Sequence, residues 1–450
     1  MDVQQCTTIH NLPFELISSI ANHLDLQDFK AFRLTSRLIA QSTRSLLASE
    51  HFNGLLWRPD AARLYELSRI PECARRIRSV TFNFARLNEY KALHESFSHL
   101  SLAEPGLTSE MLHGKWEQYF ETQRQMKALG GFRLDLVKKA LGGLPSLKEL
   151  TLTWTRCPWR RDTEPWRLFS ADVSIRMAKR EVFDVQDAVL RELRNAWVRL
   201  DTLNLEPIPL KGPAGELYPG GEAGFSSVDD GRTDILQVSG FDFFRGLRRL
   251  NLVLHRKSED VLEEGLQAVL RQTALRELRL EYLPWERNHP CTLFLEGIYL
   301  PELNVLEVKG LEVGLRNLAV FLARHRRTLK KLSLRDMKGI PHTGEDGDMS
   351  GGSGDTEDME LWRVKGDSGI VRVDVETWEE LFTMMRETLV ELEDVEVRGG
   401  FTDPLTGRKC WFYCDHLGVP GDEWSVSALP LEKYLLDGGE MPELVFLREV

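Results

Sequence analysis

Leu247-Arg248-Arg249-Leu250-Asn251-Leu252 decides the fold of this 450-residue chain. Its apolar residues stand three and then two apart. The same figure returns as Leu275-x-x-Leu278-x-Leu280, Leu303-x-x-Leu306-x-Val308 and Leu329-x-x-Leu332-x-Leu334, after steps of 28, 28 and 26 residues. Toward the N-terminus it recurs as Leu200-x-x-Leu203-x-Leu205, Leu147-x-x-Leu150-x-Leu152 and Ile77-x-x-Val80-x-Phe82, and toward the C-terminus as Leu392-x-x-Val395-x-Val397. There the steps widen to 47, 53, 70 and 63 residues, the same unit stretched by insertions. Alternation at the end of each figure has the period of a strand. Self-similarity every 20–29 residues or so is the mark of a stacked repeat.

Helical stripes lie between the figures. Val189, Leu190, Leu193 and Trp197 fall on one face at 3.6-residue spacing; so do Leu262, Leu266, Val269 and Leu270, then Leu315, Leu318, Ala319 and Leu322, then Trp378, Leu381, Phe382 and Met385. The expected fold is α/β: an irregular solenoid with parallel strands on its concave face, helices outside and the leucines in between. Each fully buried leucine contributes about 1.5–3 kcal/mol, so the repeat leucines read as structural. The pattern resembles the leucine-rich repeat family. That family often places Asn or Cys three residues beyond the last leucine, where this chain has Thr155, His255, Leu283, Leu311 and Met337. An irregular arc without an Asn ladder is therefore expected.

Side chains alternate along a strand, so the positions between and after the leucines should face the concave surface. They read Arg249, Asn251 and Val253; Glu277, Arg279 and Glu281; Val305, Glu307 and Lys309; Lys331, Ser333 and Arg335. Mixed signs suit a protein or peptide target better than a phosphate backbone, which favours one-sided Lys and Arg. The candidate target-binding residues are Arg249, Asn251, Glu277, Arg279, Glu281, Glu307, Lys309, Lys331 and Arg335. The plainer reading is a solvated face of self-compensating cross-strand pairs.

Residues 9–50 show a different pattern. Leu12, Leu16, Ile20 and Leu24 recur every four residues, in a helix opening near Pro13. Asp25 offers a cap for a second short helix, and Thr35-Ser36 a cap for a third running through Leu46 and Leu47. So small a unit tends to present leftover apolar residues to a partner.

The run Leu12-Pro13-Phe14-Glu15-Leu16, continuing through Ile20 and Leu24 to Asp28-Phe29, is similar to an F-box, L-P-x-E-[LI]-x-x-x-I-x-x-x-L-x-x-x-D-[LF]. Phe32-Arg33-Leu34-Thr35-Ser36-Arg37 looks like that family's next element as seen in filamentous fungi. Many F-boxes carry Trp or Phe after the Ser-Arg/Lys pair, where this chain has Leu38 and Ile39.

The resemblance implies a substrate receptor of a Skp–cullin–F-box ubiquitin ligase. Leu12, Pro13, Leu16, Ile20, Leu24, Asp28, Phe29, Leu34 and Leu38 would face the Skp adaptor, and the repeats would hold the target protein. The alternative is an interaction scaffold that does not direct degradation. The expected layout is an F-box at 9–52, a helical connector at 53–76 carrying Leu64, Leu67 and Ile70, and irregular repeats at 77–436. Trp424 and Leu429–Leu436 read as a terminal cap.

The formal charge is −11, but residues 341–362 hold seven acids and no Lys or Arg, leaving the rest of the chain at −4. Residues 341–370 therefore read as an acidic, Gly/Ser-rich disordered insertion, or more sharply as an acidic docking or modification site. The balance argues against nucleic acid as a partner, and no apolar run of 18 residues suggests a membrane span. No basic-then-apolar leader opens the sequence. Six scattered cysteines fit a reducing interior, cytoplasmic or nuclear.

No cofactor, metal or catalysis is expected. Gly366-Asp367-Ser368-Gly369 resembles the serine motif of chymotrypsin-like proteases without that family's other elements. Cys410 and Cys414, near His416, would stand about 13 Å apart in a strand, too far for one zinc.

Overall fold

The computed structural model describes residues 12–56, 58–87, 108–128, 132–159, 164–169, 173–174, 179–209, 246–255, 269–270, 274–282, 292–293, 298–340, 375–413 and 425–444, with residues 9 and 244. They fall into two compact units, Met1–Glu206 and Pro207–Val450. The division lies inside the stretch read as one repeat body, so the N-terminal helices share a unit with the first strands. The acidic stretch 341–370, Gly366–Gly369, Cys414, His416 and Trp424 lie outside the described residues, as does most of the helix read around Leu262–Leu270.

The first unit opens with three helices, α1 (Phe14–Asn22), α2 (Leu26–Leu34) and α3 (Arg37–Ser42). The Asp25 carboxylate accepts from the backbone N–H of Gln27 and Asp28, and the Ser36 hydroxyl from that of Leu38, so both expected caps form. Next come β1 (His51–Leu55), β2 (Ser79–Asn83), β4 (Glu149–Thr153) and β6 (Thr202–Pro209), parallel and in register. A short antiparallel pair, β3 (Arg86–Leu87) with β5 (Val173–Ser174), lies apart. Val80, Leu150 and Leu203 align across the ladder, as do Phe82, Leu152 and Leu205, and all are buried. Helices Asp60–Ser68, Leu134–Gly142 and Lys179–Asn195 line up against one another.

β1 lies where a purely helical connector was expected; helices Asp60–Ser68 and Pro71–Arg76 come after it. His51-Phe52-Asn53-Gly54-Leu55 lacks the leucine figure because its core positions are Phe52 and Gly54. A Cβ on Gly54 would stand 2.4 Å from the Phe82 ring, which fills that space. β1 is also an edge strand, and side chains blunt it. Buried Asp60 accepts from the Leu55 N–H (3.0 Å) and from Arg58 Nε (2.7 Å), while Arg58 Nη2 donates to the Asn53 carbonyl.

Trp197 does not join the packed stripe of Val189, Leu190 and Leu193. It is 90% exposed at φ 55°. Val198 N–H reaches Leu193 O and Trp197 N–H reaches Arg194 O, a Schellman ending with Trp197 in the left-handed position normally given to glycine. That conformation costs a bulky side chain about 1–2 kcal/mol. Trp197→Gly should therefore raise the thermal stability of the first unit by about 0.5–1 kcal/mol after glycine's unfolded-state entropy is allowed for. A lower melting temperature would show that the indole makes contacts outweighing the strain.

The second unit repeats the plan with β7 (Arg249–His255), β8 (Glu277–Tyr282), β10 (Val305–Lys309), β12 (Lys331–Arg335) and β14 (Asp394–Thr402), again parallel and in register. Two buried columns result: Leu250, Leu278, Leu306, Leu332 and Val395, then Leu252, Leu280, Val308, Leu334 and Val397. The stripes of helices Leu315–Arg324 and Trp378–Thr388 complete this core, with helix Ala428–Asp437 packed on β14.

A second backbone ladder follows the first. β9 (Thr292–Leu293), β11 (Glu312–Gly314), β13 (Lys338–Ile340) and the end of β14 run parallel; β15 (Lys409–Tyr413) joins β14 antiparallel, and β16 (Ser425–Ser427) joins β15. Gly310, Asp336 and Gly399, at φ 71°, 52° and 79°, bend the chain between the two ladders. A Cβ on Gly399 would stand 1.9 Å from Asp336 Oδ1, which accepts from Gly400 N–H. Leu311 and Met337, three residues beyond the last apolar residue of their leucine figures, are buried and apolar. Lys338 N–H reaches Leu311 O, and Thr402 N–H reaches Met337 O, at 3.0 Å each.

His325 ends helix Leu315–Arg324 inside this core. Leu300 N–H donates to its Nε2 (2.9 Å), so Nδ1 carries the proton and donates to Phe321 O (2.7 Å). Burial pulls its pKa from 6.5 to about 4. On acidification the unfolded chain takes up this proton first. The stability is therefore present above pH 6.5 and lost progressively down to about pH 4. Between pH 7 and pH 5 the second unit should lose about 2 kcal/mol. Denaturant melts at both pH values check this, and a His325→Asn chain should show a flat profile over that window.

Candidate functional site

In α1 the residues facing the unit's own core are Ile17 and Ala21. Leu16 and Ile20, one position earlier in each turn, are exposed, as are Phe14, Leu38, Leu47 and Ile9; Leu34 is 88% exposed. A nine-residue helix thus carries two apolar sets, and the module's interior uses one. Of the adaptor-facing candidates, Pro13, Leu16, Ile20, Asp28, Leu34 and Leu38 are exposed, and Leu12 and Leu24 are half-buried. Phe29 is the correction: it is buried, with the Arg33 guanidinium 5.7 Å above its ring. It serves the helical core. Phe14 was missed because the motif leaves its position open, although an aromatic outside the buried stripe was itself a signal.

The module is tied internally and to the helix Pro71–Arg76 beyond it. Arg33 Nη1 donates to Ala40 O and Thr43 Oγ1, 2.9 Å each, fastening α2 to α3 and the turn after it. Burial lowers the pKa of this guanidinium. Cys73, in helix Pro71–Arg76, donates its thiol to Arg44 O at 3.3 Å, and burial pushes that thiol's pKa up. Cys73 therefore bridges the module to the helix before β2.

The exposed strand face of the second unit is a lattice of opposite charges. Arg249 pairs with Glu277 (3.2 Å), Arg279 with Glu307 (3.3 Å), Glu281 with Lys309 (2.7 Å) and Lys331 with Asp394 (3.1 Å). Arg335 pairs with Glu396, and Arg398 with Glu432 of the helix Ala428–Asp437. Because the strands run in register, Arg249, Arg279, Glu281 and Lys331 each meet their register partner on the next strand, while Arg335 reaches Glu396, two residues before its own register partner Arg398. The exposed pairs among them contribute about 0–1 kcal/mol each and cost little to exchange; Arg398 and Glu432 are largely buried and are not of that kind.

Val253, read as a surface residue, is buried like Leu252 and Leu254 on either side. Ser333 is also buried, and its hydroxyl donates to Glu396. Asn251 and Val305 are half-buried. Asp394, Glu396 and Arg398 belong to this face and were missed, though they occupy the intervening positions of the last leucine figure.

The corresponding row in the first unit is neutral: Asn53, Thr81, Thr151 and Asn204 align across β1, β2, β4 and β6, and Asn204 Nδ2 donates to Thr151 Oγ1 at 2.7 Å. Buried Glu206 is paired with Arg156. Among the described residues, no three His, Cys, Asp or Glu side chains converge as a metal site, and Cys410 is buried in β15.

Residues 9–47 match the F-box domain model, a match confined to the three-helix module. No curated protein matches the chain. F-box domains generally bind Skp-type adaptors and suggest a part in target recognition by Skp–cullin–F-box ubiquitin ligases.

Proposed function

We propose that this chain is the target-recognition subunit of a Skp–cullin–F-box ubiquitin ligase. The observation that carries the reading is the exposed apolar set Phe14, Leu16, Ile20, Leu34 and Leu38 on a module that matches the F-box. Apolar side chains on so small a unit, beyond what its core uses, are what a partner surface would cover. The F-box at 9–52 docks on the adaptor. The connector at 53–76 leads into irregular leucine-rich repeats over 77–436, whose exposed strand face receives the target protein. The chain is non-catalytic. It works by proximity, raising the effective concentration of a target lysine near a charged ubiquitin-conjugating enzyme.

The test is purification of the tagged chain from cells, then half-life measurement of the proteins it retains. Adaptor and cullin should co-purify, and retained partners should live longer when the proteasome is inhibited or the chain is deleted. Unchanged half-lives with the adaptor still bound would instead establish a scaffold that does not direct degradation.

A further inference from the structure

Three cations fall in one register row at the far end of the second unit's strand face. Lys309 on β10 aligns with Arg335 on β12, and Arg335 with Arg398 on β14. All three flank buried core residues, Val308, Leu334 and Val397, so they share the outward side. The two rows before them differ. One reads Arg249, Glu277, Val305, Lys331, Asp394, and the next Asn251, Arg279, Glu307, Ser333, Glu396. Neither has two adjacent cations. Positive charge on this face is therefore concentrated along one edge, at the C-terminal ends of the main strands.

We infer that Lys309, Arg335 and Arg398 form a docking row for a short carboxylate-rich peptide of the target. The inference rests on the proposal that the repeats receive a target. Each cation already holds a carboxylate: Lys309 that of Glu281 (2.7 Å), Arg335 that of Glu396, Arg398 that of Glu432. The geometry thus accepts Asp or Glu without rearrangement. Glu281 and Glu396 are partly exposed, and the Lys309–Glu281 pair is of the weak surface kind that an incoming carboxylate can replace. Glu396 is shared by Arg335, the Ser333 hydroxyl and, at 3.8 Å, Arg398, so a replacing carboxylate must take over those three partners. Glu432 is largely buried and also accepts from Val397 N–H at 3.0 Å; it stays, fixing Arg398 in place. Adjacent strands stand about 4.8 Å apart, so the row spans about 10 Å, or three to four residues of extended peptide. A nucleic acid is disfavoured because its further phosphates would meet Glu277, Glu307, Asp394 and Glu396 on the neighbouring rows.

The experiment is fluorescence anisotropy at low salt with the full-length chain and a labelled peptide of alternating Glu and Gly, set against its Gln counterpart. The Glu peptide should bind at least tenfold tighter than the Gln peptide. Lys309→Gln/Arg335→Gln should remove that preference. Glu281→Gln/Glu396→Gln, which deletes the resident competitors and keeps the cations, should tighten binding three- to tenfold. A merely structural role for these pairs predicts weakened or unchanged binding in both variants. Repeating the titration on a chain without residues 341–362, which removes seven of the chain's own carboxylates, makes a negative result decisive. No preference for Glu over Gln in that chain, no gain in the Glu281→Gln/Glu396→Gln variant, or equal affinity for single-stranded DNA would overturn the inference. A phosphoserine peptide binding where the Glu peptide does not would also overturn it. None of these outcomes bears on adaptor docking by the N-terminal module, which is read separately by co-purification.

Discussion

Replacing Leu16 and Leu38 together by glutamate is expected to abolish capture of a Skp-type adaptor, with at least a 100-fold loss of affinity and no change in melting temperature. Both side chains are exposed, so the folded chain loses little when they change. In a docked complex each would pass from water into an apolar contact. Covering one such leucine is worth about 1.5 kcal/mol or more, and a glutamate in its place adds the cost of desolvating a charge. Two sites therefore remove about 3 kcal/mol or more, and each 1.4 kcal/mol is about a factor of ten. The contrast is Phe29→Ala. That residue is buried, and its loss should cost the module about 3 kcal/mol, weakening capture only by unfolding it. Adaptor pull-down beside thermal melting separates the two cases. Full recovery of adaptor by the double variant would sink the docking surface.

Much of this molecule is legible in the leucine figure alone. In-register strands result from a figure of fixed internal spacing, and the buried columns are the residues that spacing selects. Once register is granted, the ion pairs can be read as well, because equivalent positions of successive repeats become neighbours: Arg249 meets Glu277, and Lys331 meets Asp394. The features the sequence does not reveal are set by tertiary context. β1 has no leucines because its core is built from Phe52 and the space Gly54 leaves for Phe82. The short strands after Gly310 and Asp336 hold three residues each, too few to show a period. Trp197 keeps helical spacing one step past the point where the helix turns left-handed. In the N-terminal module the sequence placed the first two helices and the start of the third; that helix ends at Ser42, and Leu46 and Leu47 lie in a separate 3-10 turn, Arg44–Leu47. Within the helices the motif did not distinguish a residue facing inward, Phe29, from one facing outward, Phe14, since both suit the pattern.

The largest stability effect is expected at Trp378, where three levels of the fold meet. Thr377 and Glu380 close a capping box that starts helix Trp378–Thr388, placing the indole at the helix's first position. The indole is fully buried, 4.9 Å from the Phe401 ring and nearly perpendicular to it, with the Phe382 ring 5.9 Å away. Its Nε1–H donates to Thr402 O at 2.8 Å, in the part of β14 that has passed into the second ladder. One side chain thus joins a helix start, the aromatic core and the strand beyond the Gly399 bend. Trp378→Ala opens a cavity the size of an indole and leaves the Thr402 carbonyl without this donor, a loss of about 4 kcal/mol. Trp378→Phe keeps most of the packing and loses the hydrogen bond, about 1–2 kcal/mol. Thr377→Ala removes only the cap, about 1 kcal/mol. Urea midpoints should fall in that order with unchanged slope. A Trp378→Ala chain within about 1 kcal/mol of the parent would mean that the aromatic cluster repacks around the vacancy, and that the helix and second ladder are held together elsewhere.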